Sequence, residues 1–120
     1  MSMNSNYYVI VGYDLTGFET DKFEDWKWTD EGEEFFCYQS KGNIQLFDDP
    51  MSSNHLYLGY IFVDGDGYDF QTTKFDIIEA ESHSFNVNEK LRHLKEIGVI
   101  SEDLDEFAIV YQFIAFVEYT

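Results

Sequence analysis

Three runs of β-branched and aromatic residues limit what this chain can fold into: YYVIVGY at 7–13, HLYLGYIFV at 55–63 and FAIVYQFIAFVEY at 107–119. Each suits a buried strand and falls short of the ~18 uninterrupted apolar residues of a membrane span. The last is the longest apolar stretch and reads as a central strand, with 7–13 and 107–117 as inner neighbours. EFFCYQS (34–40) and IQLF (44–47) read as a hairpin turning at Lys41-Gly42-Asn43, ended by Asp48-Asp49-Pro50, with 51–54 a polar loop. Asp64-Gly65-Asp66-Gly67 offers the glycines of a second hairpin turn, from which YDFQTTKFDII (68–78) is expected to pair back.

Helical spacing is clear in one place. Val87, Leu91, Leu94 and Ile97 form an apolar stripe, Asn86 with Glu89 resembles a capping box, and Gly98 supplies a stop. This predicts a helix over 87–97. Residues 14–33 show no clean periodicity and are expected to be mostly loop, with short extended pieces around the tryptophans. The expected fold is a single α+β domain over 1–120, with 1–6 flexible. Its largely antiparallel β-sheet of about five to six strands packs against one short α-helix. With 44% hydrophobic and 19% aromatic residues, the chain has the means to build a core.

Charge is the next constraint. The chain carries 24 acidic residues against 7 Lys and Arg, a formal net charge of −17. Nucleic acids and anionic membranes bind proteins that replace their counterions with Lys and Arg, so direct binding of either is not expected. Basic protein surfaces or cations are the partners such a chain admits, and acidity for solubility alone is the plainer alternative. Cys37 is the only cysteine, so no internal disulfide forms. The N-terminus lacks the basic and apolar regions of a signal peptide. A cytoplasmic location is expected.

No motif names a catalytic chemistry. An EF-hand begun at Asp64 places Tyr68, Asp69 and Phe75 where a ligand, glycine and glutamate are required. His55, His83 and His93 lack paired-ligand spacing, and Cys37 adds no zinc pattern. Glu89 is expected to pair with His93 one turn on. There is no nucleophile elbow, and Gly12 and Gly17 lack the Lys-Ser/Thr of a phosphate loop. No metal, cofactor or enzymatic activity is expected.

The functional signal lies in ETDKFEDWKWTDEGEE, residues 19–34, which set both tryptophans among carboxylates. Glu24, Asp25, Trp26, Trp28, Asp30, Glu31, Glu33 and Glu34 are candidate partner-binding residues, together with Asp64, Asp66, Glu102, Asp103, Asp105 and Glu106. In extended backbone, Glu31/Glu33, Asp64/Asp66 and Glu79/Glu81 would each share a face ~6.7 Å apart. A duplex carries one charge per ~1.7 Å of axis, so a rigid acidic edge can enter a groove built for phosphates. Trp26 and Trp28 would then face the same way and anchor the contact, since affinity concentrates in a few aromatic residues. The plainer reading makes one or both of them core.

In size, acidity and lack of catalytic motif, the whole chain resembles small phage-encoded anti-defence proteins of the DNA-mimic and anti-CRISPR type. The resemblance is one of composition. It implies a stoichiometric inhibitor occupying the basic nucleic-acid groove of a CRISPR effector, restriction enzyme or similar protein, acting in the host cytoplasm if the chain is phage-encoded. The alternatives are a non-mimic interaction module using the aromatic surface at 23–36, and a weak cation-binding or small enzymatic domain.

Overall fold

A computed structural model describes residues 5–36, 44–49, 55–66, 76–104 and 109–119. The order of elements is β1 (Ser5–Asp14), α1 (Phe23–Lys27), α2 (Asp30–Phe35), β2 (Ile44–Asp49), β3 (His55–Asp66), α3 (Ile77–Ser82), α4 (Ser84–Glu96) and β4 (Gln112–Tyr119). The strands form one antiparallel sheet in the order β2-β3-β1-β4. The α+β class and the antiparallel sheet match expectation. Among the described residues the sheet has four strands rather than five or six, and helices other than α4 are present.

The differences are specific. Residues 34–36 are helix and turn rather than strand, and β2 pairs with β3. Asp64–Asp66 extend β3 instead of turning, because their backbone pairs with Asn6–Tyr8. Ile77 and Ile78 begin α3, with Asp76 Oδ1 accepting from the amides of Ile78 at 2.9 Å and Glu79 at 3.4 Å. Residues 37–43 and 68–75 lie outside the described residues. β4 starts at Gln112 and, among the described residues, stands at the end of the sheet beside β1 rather than in its centre.

α4 follows its apolar stripe closely: Val87, Leu91 and Leu94 are buried, and Gly98 ends it at φ 81°. Its start differs, since His83 rather than Asn86 is the N-cap. The core joins this stripe to Tyr13, Leu15, Ile44, Leu46, Leu56 and Leu58 on one face of the sheet. Tyr13 reinforces the contact by donating its hydroxyl to Asn88 Oδ1 at 2.5 Å.

The other face packs against itself. Phe116 lies opposite Tyr8 on β1, whereas Phe47 lies opposite Tyr57, which in turn lies opposite Asp14. Along a straight β1, Tyr8 and Asp14 would be about 20 Å apart at ~3.4 Å per residue. Yet the Phe116 ring centroid lies 5.0 Å from that of Phe47 and 5.0 Å from that of Tyr57. The sheet must therefore fold over toward this face. Two features permit the bend: the register shift between Val9 and Ile10, and the facing pair Gly12 and Gly59. A Cβ on Gly12 would fall 1.9 Å from the Leu58 carbonyl oxygen, so the strands approach as only glycine allows. The fold encloses Ile10 and Phe47, which are buried.

Candidate functional site

The acidic segment is helical, and this decides where its tryptophans point. Phe23 and Trp26, three residues apart, bury one side of α1 against the core. Residues two apart on a helix point nearly opposite ways, at ~200° for 3.6 residues per turn. Trp26 is accordingly buried, while Trp28 is 72% exposed. The shared-face expectation for the pair is thereby corrected, as is the candidacy of Trp26 as a contact residue. Its ring packs on Phe35 at 5.3 Å and Phe23 at 5.9 Å. Among the described residues the indole Nε1 has no hydrogen-bond partner.

Trp28 sits on the corner between two helices. Thr29, the N-cap of α2, accepts from the Gly32 amide at 3.1 Å and donates to the Trp26 carbonyl at 2.6 Å. Gly32 closes the corner. A Cβ there would meet Trp26 O at 2.1 Å and Lys27 Cα at 2.8 Å, so α2 rests directly on the backbone of α1. Phe35 then packs on α4, stacked on His93 with ring centroids 6.1 Å apart and beneath the Lys90 ammonium at 5.2 Å. Glu31 Oε1 lies 2.5 Å from His93 Nε2. The expected Glu89–His93 pair is not formed: His93 joins Glu31, and Glu89 joins Arg92.

Glu24, Asp25, Asp30, Glu31, Glu33 and Glu34 are all exposed around this corner. Lys27, half-buried, bonds to Asp48 Oδ2 at 2.9 Å while its ammonium also lies 4.0 Å from Glu24 Oε2 and 5.4 Å from the Trp28 ring centroid. The exposed charges around Trp28 are mostly carboxylates, with Lys27 beside the ring. Glu31/Glu33 and Glu79/Glu81 lie on α2 and α3, so their expected strand-like spacing is corrected to a helical one. Asp64 and Asp66 belong to β3.

The second acidic cluster is brought alongside by α4. After Gly98, the Thr20 amide donates to Val99 O at 3.0 Å, Ser101 N donates to Phe18 O at 2.8 Å, and Glu19 forms a bridge with Ile100. Thr20 Oγ1 adds a bond to Gly98 O at 2.5 Å. Glu102 and Asp103, exposed in the next turn, therefore follow directly from the strand-like contact with residues 18–20. Asp105 and Glu106 lie outside the described residues.

Two signals for this site were present in the sequence but weak. Thr29 before an acidic first turn is a helix-start pattern, and Phe23 and Trp26, three residues apart, have the spacing of one side of a helix. Comparison with protein-family models, curated proteins and solved structures finds no match to the chain.

Proposed function

We propose that this chain is a small, acidic, non-catalytic inhibitor that docks its α1–α2 corner on the basic nucleic-acid groove of another protein. A CRISPR effector or restriction enzyme is the class of target this reading takes. What supports it is the position of Trp28, which is 72% exposed among the carboxylates of two short helices. Burying such a ring against a partner removes apolar area from water, while the acids around it select a cationic surface and speed encounter. Helices place carboxylates three and four residues apart on one side, so Asp30, Glu33 and Glu34 act as a cluster.

A second reading has an observation of its own. The acids at 30–34 do not follow the even spacing of a strand, which favours a protein-protein module that does not imitate a phosphate backbone. The two separate in one experiment. The immobilised chain captures its partner from lysate, and the purified complex is then titrated with salt and with duplex DNA or RNA. The inhibitor reading expects nucleic acid to compete and Asp25→Asn/Glu33→Gln/Glu34→Gln to slow association about tenfold at low salt. Binding indifferent to salt and nucleic acid, yet lost with Trp28→Ala, would establish the module instead.

A further inference from the structure

We infer, on the reading that the α1–α2 corner docks on a cationic groove, that Trp28 takes an arginine side chain of the partner, its guanidinium stacked on the indole and bonded to Glu24 and Asp25. Trp28 is the C-cap of α1 and keeps helical backbone, at φ −92° and ψ 0°. Glu24 and Asp25, four and three residues earlier, therefore lie on its side of the helix, one turn away. Both are exposed. Glu24 has Lys27 at 4.0 Å as its one ion-pair partner among the described residues, and Asp25 has none there. Their oxygens are left to accept from outside.

The ring already carries one cation. The Lys27 ammonium lies over it, 5.4 Å from the centroid. Asp48 Oδ2, 2.9 Å away, balances that charge and holds it in place, the two side chains being 17% and 19% exposed. Trp28 nevertheless remains 72% exposed, so the indole surface turned from Lys27 is open to a second cation. A guanidinium suits this surface better than an ammonium. It is flat and weakly hydrated, so it can lie on the ring while its N–H groups point outward in its own plane to the two carboxylates. An ammonium is compact and strongly hydrated, with no flat side to set on the ring. Arginine is also the residue that grips phosphates through paired hydrogen bonds, so the corner would engage a group that otherwise holds nucleic acid.

Gly-Arg and Gly-Lys repeat peptides of equal length and charge test this, titrated into the labelled chain and followed by its amide and indole N–H signals. The arginine peptide should bind at least about threefold more tightly and shift the Trp28 indole signal. Trp28→Ala should abolish the preference while leaving a salt-dependent attraction common to both peptides, and Glu24→Gln/Asp25→Asn should reduce it. Should Trp28→Ala fail to fold, Trp28→Leu takes its place with the same outcomes. Equal affinities, binding of neither peptide, or a preference that survives loss of the ring would overturn the inference. The peptides contain no groove, so the two ideas fail separately. Equal peptide affinities beside a partner displaced by nucleic acid would spare the proposed function and remove the arginine. An arginine preference in a chain whose partner ignores nucleic acid would do the reverse.

Discussion

Replacing Trp26 by alanine should take away a large part of the stability of this fold, and Trp28 gives the internal comparison. A tryptophan buries about 150–250 Å², which at ~25 cal/mol per Å² is about 4–6 kcal/mol of transfer free energy. Trp26 is 9% exposed and touches Phe23, Phe35 and Phe36, so nearly all of that is lost in Trp26→Ala. Measured aromatic-to-alanine losses in cores, about 3–5 kcal/mol, set the same scale. For a chain of this length, ~0.05–0.15 kcal/mol per residue gives a total of about 6–18 kcal/mol. Urea unfolding followed by far-ultraviolet circular dichroism should show the midpoint falling by about 2 M, at ~2 kcal/mol per M. Trp28→Ala, on an exposed corner, should stay within ~0.5 kcal/mol of wild type. Trp26→Phe should cost much less than Trp26→Ala, because it retains ring contacts and removes a buried donor that has no partner among the described residues. Equal losses at 26 and 28 would refute the assignment of inside and outside.

Further outcomes follow from single features. Gly32→Ala should destabilise by about 3 kcal/mol in the same assay through collision with the α1 backbone, although helix propensity alone predicts a gain of ~1 kcal/mol. A gain would show that the corner opens freely. In a Trp26→Phe background, Trp28 fluorescence should be quenched far more by Cs⁺ than by iodide at equal ionic strength, because carboxylates concentrate the cation; equal quenching would contradict the acidic setting. The Tyr111 hydroxyl has its pKa pushed up to about 12 by burial and then by Tyr13, so folding favours its protonated form. The stability this contributes is complete below pH ~10, the unfolded value, and is lost as pH rises through about 12. Tyr111→Phe should flatten the alkaline decline seen in thermal melts.

How much could be read in advance depended on the length of each pattern. β1, β3 and the buried stripe of α4 extend over enough residues for period and composition to agree. α1 and α2 have five and six residues, too few to display a helical period or to persist without packing. Phe35 and Phe36 therefore read as strand, although Phe35 belongs to a helix fixed by Trp26 and His93. Asp64-Gly65-Asp66 has turn composition, but pairing with β1 prevails over local preference. The apolar content of β4 suggested a central strand because Phe116 is covered, and the cover comes from the sheet's own bend. The acidic character of the candidate site was plain from composition. Which tryptophan it exposes depended on the helix, a difference of ~200° over two residues.

In the proposed function, charge and Trp28 act together on a cationic partner. The most direct test of this is the Kd of the purified complex as a function of salt, for wild type and Trp28→Ala. A steep linear fall of log affinity with log salt is expected in both, with the Trp28→Ala line displaced to weaker binding by at least about tenfold, or ~1.4 kcal/mol. A flat salt dependence together with coincident lines would contradict it.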